Sequence, residues 1–189
     1  MKIRISTGAS WAIGGAIMAL AASVELINSR KIWGISGQPG VWAGDVNSSH
    51  NSQYLTDPYT FSHITHGMLF YALTWLVARN LPVRVRALIA LGAEAVWEIV
   101  ENTDAIIQRY RAATISLHYY GDSVMNSMCD ILACMMGFGL AYLLPRRVSI
   151  ITVVVLEMAL ALWIRDGLIL NIVMLIHPIP AIRSWQSGG

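Results

Sequence analysis

The sequence predicts an all-α integral membrane protein, a helical bundle of about five transmembrane helices followed by a short C-terminal interfacial helix. Of its 189 residues, 56% are hydrophobic and only 13% are charged, whereas a soluble domain carries about 25% charged residues. Five apolar stretches can cross, as helices, a hydrocarbon layer about 30 Å thick. We find no internal repeat, so we expect one transmembrane domain over residues 1–189.

The first two elements are an apolar helix and a long polar loop. We predict a helix near residues 9–27 and an extramembrane loop over 28–61, where glycines, prolines and the run NSSHNSQ replace the apolar pattern. Lys2 and Arg4 precede an apolar run with Ala-Leu-Ala at 19–21, which would also fit a cleaved signal peptide. Because the apolar run continues past that tripeptide, we favour an uncleaved helix.

The remaining apolar stretches predict four more spanning helices and one shorter helix. The spanning segments lie near residues 62–77, 85–100, 123–144 and 148–164. The segment at 85–100 contains two glutamates, but its flanking arginines and its pairing with the preceding segment require a return crossing. Residues 167–177 are too few to span, so we expect an interfacial or re-entrant helix there, with a single long tilted helix as the alternative.

Basic residues predict which ends of the helices face the cytoplasm. Cytoplasmic connections are enriched in Lys and Arg, and the N-terminus and two short connections on the same side are all basic here. That side is therefore predicted to be cytoplasmic, although four basic residues on the opposite side weaken the bias. The residues that set this orientation are Lys2, Arg4, Arg79, Arg84, Arg86, Arg146 and Arg147.

Composition also excludes two kinds of site. The net charge is only +2 and the 13 basic residues are scattered, so the chain lacks the basic patch that binds nucleic acid. Cys129 and Cys134 lie five residues apart on one predicted helix, which suits neither a disulfide nor a zinc site.

Ionisable residues within the predicted helices lie toward one end of the bundle. Because placing a carboxylate against lipid costs at least about 2.5 to 3.5 kcal/mol, we expect these residues to face one another in a polar cavity open to the outer side. Residues three, four, seven or eight apart share one face of a helix. Three such faces are present: Glu94, Glu98 and Glu101 on the third segment, Asp122, Asn126 and Asp130 on the fourth, and His63 and His66 on the second.

The predicted cavity suits either acid–base chemistry or a bound metal ion. Deep carboxylates can act as general acid and base, and carboxylates with two histidines can bind a divalent metal ion for hydrolysis or phosphoryl transfer. The same acids would also suit a proton or ion pathway. The candidate catalytic residues are Glu94, Glu98, Asp130 and Asn126, and the candidate metal ligands are His63 and His66.

Four further residues near the cavity are candidates for binding. Glu101 and Asp122 are predicted to bind a ligand, although charges in the last turn of a membrane helix commonly just reach the lipid headgroups. Arg109 and Arg111 are either plain surface charge or the residues that hold an anionic headgroup.

Two segments carry a family resemblance. WEIVENTDAIIQRYR at 97–111 and LHYYGDSVMNSMCDILACMMGF at 117–138 resemble the uncharacterised bacterial membrane protein family numbered 0314, also called domain of unknown function 2585, found mainly in alphaproteobacteria. Both the ENT…RYR and the YYGDS…NS…D elements are present. The resemblance implies a multi-pass protein of the bacterial inner membrane. With the orientation predicted from the basic residues, the N-terminus would lie in the cytoplasm and the loop at 28–61 in the periplasm. It implies no activity.

A looser likeness joins the chain to the teicoplanin-resistance VanZ-like proteins. These proteins share a His on one helix, a Glu on the next helix, and an Asp-xxx-Asn motif at the start of a further helix. The likeness implies a shared architecture only. The residues that would fill these places are His63 or His66, Glu94 or Glu98, and Asp122 with Asn126.

These observations predict a membrane protein that binds or processes an envelope component, either lipid-linked or carrying an anionic headgroup. Glu98, Asp130 and His66 would be central to it, and the lipid bilayer would be its main partner. A proton- or ion-coupled transporter is one alternative, although the sequence shows no repeated halves with broken helices. A structural or assembly protein, whose polar groups hydrogen-bond helices together, is the other.

Overall fold

The structure, a computed structural model, describes residues 5–114, 116 and 118–188. Every regular element longer than one bridge in that part of the chain is a helix, so the all-α prediction is confirmed. In chain order the helices are α1 (Thr7–Ile27), α2 (Thr60–Ala78), α3 (Val83–Glu101), α4 (Asp104–Ala113), α5 (Val124–Leu143), α6 (Arg146–Trp163), α7 (Leu168–Ile176) and α8 (Pro180–Gln186).

Local sequence signals set where the long helices begin. The Ser6 and Ser123 hydroxyls each accept a hydrogen bond from the backbone N–H three residues further on, at the starts of α1 and α5. Such caps satisfy N–H groups that have no partner within the helix. Pro82 and Pro145 immediately precede α3 and α6, where the missing proline N–H breaks no helical hydrogen bond.

The pair α2 and α5 forms the most extensive helix contact of the bundle. Gly67 of α2 lies against the backbone of Cys134, and Gly137 of α5 lies against the backbone of Ile64, with no room for a Cβ at either glycine. Small residues allow membrane helices to approach this closely. Helix α3 packs on both, α1 packs on α3, and α6 packs on α2. An apolar core joins α1, α3 and α5 through Ala21, Leu91, Ala95 and Ile131.

Two helices, α1 and α5, are long and apolar enough to cross a membrane among the described residues. Helices α6 and α7 make a third candidate span if the pair, bent by 71°, is a single crossing. Five crossings were predicted, whereas length and composition support only two to three among the described residues. Helices α2 and α3 have 19 residues each, but their histidines and charged residues dilute their hydropathy.

The break between α6 and α7 is built around buried Asp166. Its carboxylate accepts hydrogen bonds from Gly167 N–H at 2.9 Å, from the Tyr59 hydroxyl at 2.9 Å and from Gln186 Nε2 at 3.1 Å. Arg165 adopts a left-handed conformation with φ of 55°, which turns the chain. The start of α7 is thereby fixed to the segment before α2 and to α8, so residues 148–177 form two helices rather than one.

Two short helices lie where no helix was predicted. Helix α4 occupies half of the segment at 102–121, between the third and fourth predicted spanning segments, and α8 lies in the C-terminal tail. Helix α4 buries Ile107, Tyr110 and Ala113, which recur every three residues along one face. A search for long apolar stretches does not detect such a polar, one-sided helix. Residues 28–59 contain no helix, and Trp42 and Thr56 form an isolated bridge within them.

Candidate functional site

His63 lies at the centre of a buried ionisable cluster formed by three helices. Its Nδ1 atom lies 2.6 Å from Glu94 Oε1 and 3.3 Å from Glu98 Oε1, both on α3. Its Nε2 atom lies 3.9 Å from Asp130 Oδ2 on α5. His63 is 8% exposed and the three acids are less so. Ionisable groups therefore meet where α2, α3 and α5 pack together.

His66 adds a second imidazole to this cluster, one turn further along α2. Its Nδ1 atom lies 3.0 Å from Glu94 Oε1 and 3.1 Å from Glu94 Oε2. The rings of His63 and His66 meet edge to face, with 5.1 Å between their centroids. The spacing i, i+3 places both rings on one face of α2. Both histidines consequently share the Glu94 carboxylate.

The Asp130 carboxylate is held from α2 as well. The Thr60 hydroxyl donates a hydrogen bond to Asp130 Oδ1 at 3.0 Å, which leaves Oδ2 directed toward His63. Glu98 differs, because its Oε1 atom is buried and has no hydrogen-bond partner within the described part of the chain. The cluster thus contains three acids in different settings. Glu94 is shared by two histidines, Asp130 is held by a hydroxyl, and Glu98 has an oxygen that accepts no hydrogen bond from any described residue.

A cavity of about 460 Å³ opens beside the cluster. Its lining combines ionisable groups with a broad apolar surface from α2, α3 and α7. A nitrogen from each histidine and an oxygen of Glu94 lie within 4.8 Å of one another, a set that can hold a metal ion. Polar lining residues include His63, His66, Glu94, Glu101, Asp122 and Asp130, and apolar ones include Leu69, Phe70, Val96, Trp97, Ile172 and Leu175.

Asn102 and Asp122 join the ends of α3 and α5 at the rim of this cavity. Asp122 N–H donates to Asn102 Oδ1 at 2.6 Å, and Asn102 Nδ2 donates to Asp122 Oδ2 at 3.0 Å. The Tyr119 hydroxyl donates to the same carboxylate at 3.0 Å. Burial raises the pKa of Tyr119 well above its usual value, so the hydroxyl remains a donor at neutral pH.

Burial also changes the acidity of the carboxylates at the rim. It raises the pKa of Asp122 from 3.8 to about 6, with a further contribution from the negative charge of Asp57. Burial raises the pKa of Asp57 as well, although Asp57 accepts hydrogen bonds from the N–H groups of Ser52 at 2.9 Å and Tyr59 at 2.7 Å. The rim therefore holds two carboxylates that gain protons more readily than free aspartate does.

Apart from the two arginines, the candidate residues fall into three groups in the structure. One group forms the cluster: Glu94, Glu98, Asp130, His63 and His66. Glu101 and Asp122 line the cavity at its rim, whereas Glu98 is not part of the lining. Asn126 is 1% exposed and also lies outside the lining, and its side-chain nitrogen has no hydrogen-bond partner within the described residues.

The two candidate arginines make contacts away from the cavity lining. Arg109 donates from Nε to the Leu175 carbonyl at 2.8 Å, which ties α4 to the end of α7. Arg111 donates from Nε to the Tyr119 carbonyl at 2.6 Å, and its guanidinium lies 4.6 Å from the centre of the Tyr120 ring. Both guanidinium groups thus position backbone around the cavity, and neither contributes positive charge to its lining.

Several cavity residues were absent from the sequence-based candidates. Asp57, Tyr59, Tyr110 and Tyr119 all line the cavity. Asp57 had a local signal, since an Asp before a Pro at a helix start commonly accepts backbone N–H groups. The tyrosines had none, because their orientation depends on how α4 and the adjoining segments pack.

Comparisons with known proteins identify the family. The family model described as "Protein of unknown function (DUF2585)" matches residues 26–188. A UPF0314 protein of Paracoccus denitrificans is 51% identical over 173 residues, which cover 91% of this chain and 89% of the relative. A UPF0314 protein of Sphingopyxis alaskensis is 39% identical over 180 residues, 95% of each chain.

No solved structure matches the chain. The looser likeness to the VanZ-like proteins stays a prediction. The likeness to the UPF0314 proteins, in contrast, extends over nearly the whole length of this chain and of each relative. The chain therefore belongs to the UPF0314 family, the proteins of unknown function described by the DUF2585 family model.

Proposed function

We propose that this chain is a multi-pass protein of the bacterial inner membrane that binds a lipid or lipid-linked envelope component in the cavity beside His63. The observation that carries the proposal is that one cavity combines a buried ionisable cluster with a broad apolar lining. Binding sites for small molecules typically enclose about 300 to 1,000 Å³ and combine apolar surface with a few polar groups. A polar headgroup would lie at the cluster and its chain along the apolar residues.

The apolar lining continues onto the outer surface of the bundle. Leu69, Val96 and Ile172 line the cavity and are also 45%, 60% and 47% exposed. In a bilayer, large apolar side chains with this exposure face acyl chains. A lipid can therefore enter sideways between α2, α3 and α7 without leaving the membrane.

The proposed topology has five crossings, with α2 and α3 as the second and third. Because the chain reverses direction between successive crossings, the start of α2, the end of α3 and the start of α5 share one side of the bilayer. The basic turns RNLPVRVR and PRR share the other side, which the enrichment of Lys and Arg assigns to the cytoplasm. The cavity then opens toward the periplasmic leaflet.

The cluster also offers groups for processing a bound headgroup. His63 lies between carboxylates on both sides of its ring, an arrangement that lets an imidazole accept and release a proton. Glu94, Glu98 and Asp130 would serve as its acid–base partners. A structural role for the same contacts predicts that Asp130→Asn keeps both folding and function, whereas acid–base chemistry predicts folding without function.

Lipid retention by the purified protein tests the proposal. Ala93 lines the cavity on α3 and is exposed, so Ala93→Trp should fill the cavity without touching the ionisable cluster. Ala12→Trp places the same side chain on an exposed position of α1 and is the matched control. Native mass spectrometry of protein extracted in mild detergent then compares the bound lipid.

We expect the wild type and Ala12→Trp to retain a lipid that Ala93→Trp loses, with circular dichroism showing equal helix content in all three. Equal retention by both variants would refute the proposed position of the lipid. A wild type that retains none would refute the proposal as a whole.

A further inference from the structure

We infer that His63, His66 and Glu94 form a binding site for a divalent transition-metal ion, which holds the phosphate of an anionic lipid headgroup. The inference rests on the proposed function for its lipid ligand. Metal binding itself can be measured without any lipid, so the two can fail separately.

The ligand atoms already lie close to the arrangement that a metal ion needs. Imidazole nitrogen and carboxylate oxygen are common ligands of Zn²⁺, at about 2.0 to 2.2 Å from the ion. One such atom from each of the three residues lies within 4.8 Å of the others. Ligands of a tetrahedral Zn²⁺ ion are separated by roughly 3.3 Å, given those bond lengths. Small side-chain rotations would therefore be enough to bind the ion.

Glu98 provides an independent sign that a cation can bind here. It is 1% exposed, and its Oε1 atom has no hydrogen-bond partner among the described residues. The same oxygen lies 3.3 Å from His63 Nδ1, on the side of the ring that faces Glu94. A buried carboxylate oxygen without a donor is unfavourable, and the positive charge of an ion bound by His63, His66 and Glu94 would reduce that penalty.

Asp130 lies where a second carboxylate supports a metal-bound histidine. Histidines that bind a metal ion through one ring nitrogen usually donate the other N–H to a carboxylate, which fixes the ring. The Nε2 atom of His63 faces Asp130 Oδ2 at 3.9 Å, and Thr60 holds the other oxygen of that carboxylate. His63 can therefore bind the ion through Nδ1 while Asp130 orients it.

The charge of the cavity indicates what the ion would do for a ligand. Glu94, Glu101, Asp57, Asp122 and Asp130 line it, and no arginine or lysine does so within the described residues. Such a surface repels a phosphate unless a cation is present. Three protein ligands leave a position on Zn²⁺ open for an exogenous ligand, so a lipid phosphate can bind the ion directly.

Zinc titration of the purified, chelator-treated protein tests the site. His66 is the least buried of the three ligands, so His66→Ala is the replacement that should disturb folding least. His177→Ala, in an exposed position after α7, is the matched control. We expect the wild type and His177→Ala to bind one Zn²⁺ ion each, and His66→Ala to bind at least about 100-fold more weakly.

Thermal melting with and without Zn²⁺ separates a lost ligand from a lost fold. His66→Ala should melt cooperatively with little response to Zn²⁺, whereas the wild type should be stabilised by it. Equal zinc affinity in the wild type and His66→Ala would overturn the site, as would a wild type that binds no zinc. Lipid retention in such a protein would leave the proposed function standing.

Short-chain lipids test the assigned headgroup. Dioctanoyl phosphatidic acid and dioctanoyl glycerol differ only by the phosphate, and inorganic phosphate lacks the chains. We expect zinc to increase binding of the phosphatidic acid at least about tenfold, by analogy with other supporting interactions at metal sites, and to leave the glycerol lipid unaffected. Equal zinc dependence for both lipids would overturn the phosphate assignment. Binding of inorganic phosphate as tight as that of phosphatidic acid would overturn the lipid as its source.

Discussion

Asn102 and Asp122 form a reciprocal pair, in which each residue both donates and accepts a hydrogen bond, at 2.6 and 3.0 Å. Asn102 directly follows α3 and Asp122 lies two residues before α5, so the pair fixes the separation of these helices at the cavity rim. It also joins the ENT and YYGDS elements, which are distant in sequence. Glu98 and Asp130 lie on the same two helices, further into the bundle.

Asn102→Ala should destabilise the protein by about 2 to 3 kcal/mol, because it removes both bonds and leaves the buried Asp122 N–H without a partner. Tryptophan fluorescence of the detergent-solubilised protein during thermal unfolding measures the effect. Asn47→Ala, in the exposed part of the loop at 28–59, should melt like the wild type. Equal melting of Asn102→Ala and Asn47→Ala would mean that the pair does not hold the helices together.

Asp122 should make stability depend on pH. Its pKa is raised by burial from 3.8 to about 6, so between these values the folded protein holds more protons than the unfolded chain. Stability should therefore fall as pH rises from about 4 to about 6, by roughly 3 kcal/mol, and level off above that. Asp122→Asn should lack this part of the pH dependence. Identical dependence of stability on pH in the wild type and Asp122→Asn would contradict the raised pKa of this buried carboxyl.

Gly137 and Gly139 offer a matched test of the contact between α2 and α5. A Cβ at Gly137 would overlap the backbone at Ile64, whereas a Cβ at Gly139 would meet nothing within 4 Å. Gly137→Ala should lower the melting temperature sharply and move His63 of α2 away from Asp130 of α5. Gly139→Ala should raise stability by up to about 1 kcal/mol, because alanine favours helix. Equal effects of the two changes would argue against this helix crossing.

The proposed crossings can be tested with single cysteines. Ser36 is exposed in the loop at 28–59, and Asn80 is exposed in the turn between α2 and α3. In a Cys129→Ser background, Cys134 stays fully buried and should not react. A membrane-impermeant maleimide should label Ser36→Cys in intact spheroplasts, and Asn80→Cys only after lysis. Labelling of both in intact spheroplasts would rule out α2 as a crossing in this orientation.

Helical periodicity predicted the arrangement of the cluster only within single helices. Glu94 and Glu98 share a face of α3 because they are four residues apart, and the structure directs both toward His63. The rule also grouped Asn126 with Asp122 and Asp130, but Asn126 lies outside the cavity lining. The rule does not apply to Asp122, because this residue lies two positions before α5 and is outside the helix.

Other features depended on contacts between distant segments, which spacing does not reveal. The break after α6 is held by Asp166 and Tyr59, which are 107 residues apart. Arg109 was predicted to be either plain surface charge or a ligand for an anionic headgroup, and its contact with the Leu175 carbonyl on α7 was not predicted. Arg109 belongs to α4, and the position of that short amphipathic helix is set by packing rather than by hydropathy.

A high-resolution map of the protein in lipid nanodiscs would test the account most directly. We expect one elongated density in the cavity, with its headgroup against His63, His66 and Glu94 and its chain along Phe70 and Val96. A cavity that contains only water, with lipid confined to the outer surface of the bundle, would contradict the account.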